Sequence, residues 1–344
     1  MDTTDPVRVG VVGCGFQGLM MAAAVMRSDS LRLVAGVDPD EKALRRVAEL
    51  GASVATYGSM TDLLETADVD AVVIATPHDY LAPTALAAIR AGKHVLIEKP
   101  MALDEAQAKE VEFAAASAGV TCMVGYSFRF GMGRFVHDPF AAGMFGDLVA
   151  ITGSICLPRL DEGWMSVQAS GGGPLLYVGC HLVDLVLWLT GEEPQSVTAA
   201  VTRRPQSGVD DTSALQLQFT GGRLAQLLVT QSASGFGYDL QVIGTAGSIR
   251  LRGRDFRHYE VEAHSKTAGG AAEPTVQRPA SDGDPIDLMF VPELAEFADA
   301  IEHRRSPAIT ASDARRVLRV LDAVAESGRT RQAAVLGVPM LAAN

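Results

Sequence analysis

Val7-Arg8-Val9-Gly10-Val11-Val12-Gly13-Cys14-Gly15-Phe16-Gln17-Gly18 stands near the start of a 344-residue chain. Its first six residues form a β-branched run of strand type. Its last six fit G-x-G-x-x-G, and the residues that follow, Leu19 to Arg27, read as helix. Glycine-rich turns are common alone, but a strand directly before and a helix directly after make this one specific. In that setting Gly13 permits a tight turn, Gly15 lets the backbone approach a pyrophosphate, and Gly18 lets helix and strand pack closely. Unpaired N–H groups at the helix start then receive the anion. Phe16 and Gln17, inside the turn, join the candidate cofactor contacts.

The pattern continues outward as alternating strands and helices: Leu31 to Val37, Glu41 to Leu50, Ala71 to Ala75, Thr84 to Ala91, His94 to Glu98, Leu103 to Ala118 and Thr121 to Gly125. Strands alternating with helices imply βαβ units and a doubly wound parallel sheet, an α/β Rossmann domain over residues 1–125. Asp38 ends the second strand, 20 residues beyond Gly18. A carboxylate there accepts both ribose hydroxyls and repels a 2′-phosphate, so NAD is expected rather than NADP. Thr76-Pro77-His78 follows the strand at Ala71, where Rossmann loops face the ligand; His78 reads equally well as an ordinary surface loop residue.

Beyond residue 125 the strands run without intervening helices: Leu148 to Cys156, Val197 to Thr202, Ala214 to Phe219, Arg223 to Thr230, Leu240 to Ile243 and Ser248 to Leu251. Turns such as Thr220-Gly221-Gly222 make an open, mostly antiparallel sheet, the centre of an α+β domain over residues 126–344. The polar stretch Arg252 to Asp284 reads as a long excursion or irregular edge. Two amphipathic helices, Val291 to Arg304 and Ala311 to Ser327, close the chain and are candidates to pack back on the first domain.

Composition narrows the partners. A net charge of −12 without a basic patch argues against nucleic acid. No secretory start is evident, and no uninterrupted apolar stretch approaches the roughly 20 residues of a membrane span, so a soluble cytoplasmic protein is expected. Cys14, Cys122, Cys156 and Cys180 are scattered, without zinc or disulfide spacing, and no metal is expected.

Two segments carry candidate chemistry. Glu98-Lys99-Pro100 ends a strand, where a partly desolvated lysine beside a ligand can serve in proton transfer, although strand-end lysines are often merely solvated. The second runs from Gly171-Gly172-Gly173-Pro174 through Leu189. A helix beginning near Val178 places Tyr177, His181, Asp184 and Trp188 on one stripe amid Leu and Val. Buried polar groups need partners or a site to serve. A satisfied core His181–Asp184 pair is the plainer reading, and metal binding there lacks a third ligand.

Together these motifs resemble the Gfo/Idh/MocA oxidoreductases, which include inositol and sugar dehydrogenases, over nearly the whole chain. The resemblance implies hydride transfer between nicotinamide and a secondary hydroxyl or carbonyl of a cyclic polyol or sugar-like substrate, in a homodimer or homotetramer. It assigns Lys99 to the family's EKP lysine, His181 to its usual base and Asp184 to a substrate contact. Arg129, in Gly125-Tyr126-Ser127-Phe128-Arg129, matches the segment entering the substrate domain and is a weaker substrate candidate. Tyr177 stands where the family has an aspartate that supports the histidine; its phenol is a poor base at neutral pH. That departure keeps an alternative open: NAD bound without net redox turnover, as a sensor or regulatory partner, or for glycoside hydrolysis with tightly held NAD.

Overall fold

The computed structural model describes residues 5–160, 162–205, 207–267, 270–271, 275–277 and 284–336. The chain divides into two compact units, residues 1–130 with 284–315, and residues 131–283 with 316–344.

The first unit is built on a six-stranded parallel sheet of β1 (Val7–Val12), β2 (Leu31–Val37), β3 (Ala55–Tyr57), β4 (Ala71–Ile74), β5 (His94–Glu98) and β6 (Cys122–Gly125). The strand order is β3-β2-β1-β4-β5-β6, so the order reverses between β1 and β4, the place where such sheets hold ligands. Val9, Val11, Val72, Val73, Ile74, Val95, Leu96 and Ile97 are fully buried, because helices cover both faces. Each such side chain contributes about 1.5–3 kcal/mol on removal from water. The connecting helices are α1 (Phe16–Val25), α2 (Glu41–Ala48), α3 (Met60–Thr66), α4 (His78–Arg90) and α5 (Glu105–Ala118).

Side chains cap three of these helices: Asp40 accepts from the Lys42 N–H, Ser59 from that of Asp62, and Asp104 from that of Gln107. β3 and α3 were not anticipated, since Ala55-Thr56-Tyr57 is too short to show a period. α4 begins at His78 rather than Thr84: Pro83 falls inside it, where a proline usually signals a boundary.

The second unit holds the mostly antiparallel sheet expected. After α6 (Arg134–Ala141) come β7 (Leu148–Cys156) and α7 (Gln168–Gly171). A π-helical turn over Leu175–Gly179 then leads into α8 (Cys180–Thr190), and β8 (Pro194–Thr202), β9 (Thr212–Phe219), β10 (Leu224–Thr230), β11 (Gly237–Gly244), β12 (Gly247–Gly253) and β13 (Tyr259–Thr267) follow. Only the β7–β10 pairing among these is parallel. β9 and β10 alternate buried and exposed residues, with one face packed and one face open.

The stretch read as an irregular excursion from Arg252 contains β13, with β14 (Gly270–Ala271) and β15 (Thr275–Gln277) paired to it. Its polar alternation, Glu260, Glu262 and His264, is that of a strand near a sheet edge. The remainder of that stretch, residues 268–269, 272–274 and 278–283, lies outside the described residues.

The chain then returns to the first unit through a second π-helical turn, Ile286–Phe290, and α9 (Val291–Glu302). α10 (Ala311–Thr330) begins in the first unit and continues in the second, where β16 (Ala334–Val335) pairs with β8.

The run Gln168–Thr190 is apolar enough to pass for a membrane span by length and composition, with 72% of that apolar stretch buried. It is not one unbroken helix: Gly172 ends α7 at φ +69° and Gly173 follows at φ +76°, so the glycines ahead of Pro174 divide it.

Candidate active site

In the first unit the candidate residues gather at the carboxyl ends of the parallel strands. Gly13 closes β1, Asp38 β2 and Thr76 β4, while Glu98 ends β5 with Lys99 next; Arg129 follows β6 on a short 3₁₀ turn, Ser127–Arg129.

The glycine turn is held from both sides. The Gly13 N–H donates to the Val37 carbonyl at 2.8 Å, and the Cys14 N–H donates to Asp38 Oδ2 at 2.7 Å. Asp38 Oδ1 accepts from the Asp40 N–H at 2.8 Å, so the carboxylate is fixed in place while each oxygen keeps a lone pair for a further donor. Gly13 has φ +86°, and a Cβ there would lie 2.6 Å from the Ala75 carbonyl oxygen. A Cβ on Gly18 would fall on the Gly13 carbonyl. Gly15 instead faces open space.

These features fit a dinucleotide. α1 starts at Gly15 with no side-chain cap and no acidic residue in its first turn, leaving its N–H groups for an anion. The Thr76 hydroxyl is buried without a hydrogen-bond partner among the described residues. Phe16 is 80% exposed at the turn's rim, Pro77 precedes α4 as its N-cap, and His78 is buried at the helix start, against its reading as a surface loop residue.

The residues after β5 form a second cluster. Glu98 is 6% exposed, and Gln17 Nε2 donates to its Oε1 at 2.6 Å, so the glycine turn and the EKP segment are joined directly. Burial pushes the Glu98 carboxyl up, against the opposing pull of Lys99 and the Gln17 hydrogen bond. Lys99 is half-buried, and its bond to Pro100 is cis. Arg129 is buried, with Nη2 3.9 Å from Asp313 Oδ1.

Sequence reasoning missed Glu293 on α9, which is fully buried in the same unit and whose carboxyl feels the charge of Glu98. The signal was available: Phe290, Glu293, Leu294 and Phe297 fall on one helical stripe, so Glu293 interrupts an apolar face.

In the second unit the segment of Tyr177, His181 and Asp184 packs on the sheet. A Cβ on Gly179 would come within 2.9 Å of Val229 on β10, and one on Gly153 of β7 within 3.0 Å of Leu182. His181 and Asp184 are buried, Asp184 completely, while Tyr177 and Trp188 are half-buried. The π turn widens the backbone at Tyr177, so the helix starts earlier than Val178 and the even stripe of steps is broken there. Tyr177 meets Trp164 edge-on, ring centroids 6.3 Å apart, and Trp188 stacks on His137 at 3.7 Å. Among the described residues no group of three or more His, Cys, Asp or Glu side chains has the arrangement of a metal site.

Comparison with known proteins decides the family. Residues 7–126 match the oxidoreductase family with NAD-binding Rossmann fold, and residues 134–250 match the GFO/IDH/MocA C-terminal domain. The 1,5-anhydro-D-fructose reductase of Ensifer adhaerens is 31% identical over 83% of this chain and 88% of its own. This chain belongs to the Gfo/Idh/MocA oxidoreductases. A D-xylose 1-dehydrogenase (NADP(+)) of Haloferax volcanii is 28% identical over 95% of this chain and 99% of its own. The crystal structure of an aldose–aldose oxidoreductase from Caulobacter crescentus, in complex with glycerol, superimposes with a TM-score of 0.84 at 25% identity, over 96% of this chain and all of that one. As a member of the family, this chain is an oxidoreductase with an N-terminal nicotinamide-dinucleotide domain.

Proposed function

We propose that this oxidoreductase uses NAD to oxidise, reversibly, a secondary hydroxyl of a cyclic polyol or sugar-like substrate. The observation that carries the reading is the Asp38 carboxylate, pinned at the ribose position by the Cys14 and Asp40 N–H groups next to an uncapped α1. A negative charge fixed there favours two ribose hydroxyls over a 2′-phosphate. The 1,5-anhydro-D-fructose reductase and the aldose–aldose oxidoreductase support a sugar-like substrate by their names; the Haloferax relative, named for NADP, makes the cofactor preference a matter for this chain's own residues.

Gly13, Gly15, Phe16, Gln17, Gly18, Asp38, Thr76, Pro77 and His78 would hold the dinucleotide, with Glu98 and Lys99 at the strand end beyond, and its nicotinamide would supply the hydride transfer. Lys99 polarises the reacting oxygen, His181 takes or gives the hydroxyl proton, and Asp184 and Arg129 position other substrate groups. Tyr177, restrained by Trp164, fills the aspartate position as a hydrogen-bonding and packing group. Copies of the chain associate through the open sheet face, where Leu224 and Leu228 stand exposed.

The test is nicotinamide absorbance with NAD and, separately, NADP over a panel of inositols, sugars and sugar acids. Reduction of NAD by one of them is expected, with turnover lost in Lys99→Met and His181→Ala. Full turnover in either variant removes that residue's assignment. Cofactor retained through purification with no net reduction on any sugar removes the dehydrogenase reading in favour of internal redox chemistry.

A further inference from the structure

Glu293 is a titratable group that the proposed chemistry leaves unused. It lies in the first turn of α9 with 0% exposure, and neither carboxyl oxygen has a hydrogen-bond partner among the described residues. A carboxylate ion in such a place loses its hydration with nothing in return, whereas the neutral acid loses far less. Burial first, and the charge of Glu98 second, hold its carboxyl well above the usual carboxylate range.

Glu98 is better placed to carry charge. Gln17 donates to it at 2.6 Å, and the Lys99 ammonium and backbone N–H both favour its ionised form. It is also fixed in space: Glu98 pairs with Gly125 across β5 and β6, and a Cβ on Gly125 would lie 3.3 Å from the Glu98 carboxyl carbon.

The other charged groups on the packed elements have their own partners. α1 carries none from Phe16 to Val25, and Asp287 in the π turn before α9 pairs with Arg27 at 2.6 Å. Arg129 sits beside Asp313, and on α9 Glu296 and Asp299 are held by Arg305. Glu98 and Glu293 are both buried in the first unit, and the charge of the one acts on the other, so the two carboxyls titrate as a pair.

We propose that Glu98 and Glu293 share one proton, with Glu293 as the neutral acid and Glu98 as the single negative charge that balances Lys99. Glu293 then stays neutral while Glu98 carries the charge beside Lys99; the bearing of the pair on catalysis rests on the assignment of Lys99 to the reacting oxygen, but the charge state does not. Removing the lysine charge leaves Glu98 uncompensated, so that it also takes up a proton.

Infrared difference spectra of the full chain, in water and in deuterium oxide at neutral pH and without substrate, test this. Wild type minus Glu293→Gln is expected to show one carbonyl band of a protonated carboxylic acid. Lys99→Met is expected to gain a second such band, which a further Glu98→Gln change removes. Absence of the first band overturns the proposal. If Glu293→Gln does not fold, the Lys99→Met spectrum decides, and absence of its second band overturns the proposal equally.

On a sugar that the wild type turns over, Glu98→Gln, which removes a charge, is expected to move the pH profile of kcat/KM, and Glu293→Gln, which removes none, to leave it near that of wild type. A shift as large as that of Glu98→Gln shows that Glu293 carried charge and overturns the proposal. Because the infrared spectra need neither sugar nor nicotinamide, a silent substrate panel removes the substrate reading without touching this one.

Discussion

Each oxygen of the Asp38 carboxylate accepts one backbone N–H, from Cys14 and from Asp40, so the side chain shapes the glycine turn as well as facing the ribose position. Asp38→Ala therefore removes two charge-assisted bonds along with the negative charge. Such bonds are worth about 1.5–3 kcal/mol each, so NAD affinity is expected to fall tenfold or more while NADP affinity falls less. Titration calorimetry with both cofactors measures this; an unchanged ratio of the two affinities contradicts the role given to Asp38. Gly18→Ala is harsher, because its methyl group has no room against the Gly13 carbonyl, and loss of NAD binding with a lowered melting temperature is expected. The glycines and Asp38 were legible in the sequence because their spacing encodes their geometry. The Gln17–Glu98 link was not, since it joins residues 81 apart, and Glu293, which interrupts an apolar stripe, was passed over because its helix was read only as amphipathic.

Elements show where local patterns suffice. β1, β2, β5 and β7 have the bounds read from sequence, and the first three are buried runs that end abruptly at Gly13, Asp38 and Lys99. The segment entering α8 was harder: helix periodicity was visible, but a π turn has its own period, and Gly179 owes its place to β10, far away in sequence. Gly179→Ala drives a methyl group to within 2.9 Å of Val229 and 3.0 Å of Leu175. Overpacking of that kind costs about 1–3 kcal/mol, a fall of several degrees in melting temperature by calorimetry. An unchanged melting temperature refutes tight packing at that point.

At the β5–β6 pairing, His94 Nδ1 accepts the Thr121 N–H at 2.9 Å, and burial lowers the pKa of the ring from its ordinary 6.5. The neutral ring is thus favoured in the folded state. Its contribution to stability is full above the unfolded value and is lost as pH falls through the depressed folded value. The melting temperature of the wild type should drop over that window, and His94→Gln, which keeps an acceptor, should flatten the drop. Equal slopes for the two proteins refute the assignment.

At the scale of the molecule, each unit accounts for its own core, and the open face of the second sheet remains to be explained. β9 and β10 turn every second residue outward, setting Gln216, Gln226 and the exposed Leu224 and Leu228 among Thr152, Ser154, Thr198 and Gln241 on neighbouring strands. Mixed faces of this kind, with few charges beyond the Arg250–Asp239 pair, suit contact with an identical face about a two-fold axis. Such a contact repeats every change twice, so one unfavourable charge counts double. Leu228→Glu places two carboxylates near the axis of a dimer while leaving the buried face of β10, Ala225, Leu227 and Val229, untouched. Light scattering should show the wild type as a dimer or tetramer and Leu228→Glu at half that mass or less, with circular dichroism unchanged. A wild type that is monomeric at micromolar concentration, or a variant that keeps its full mass, would leave this face as bare surface and move the search for the interface elsewhere.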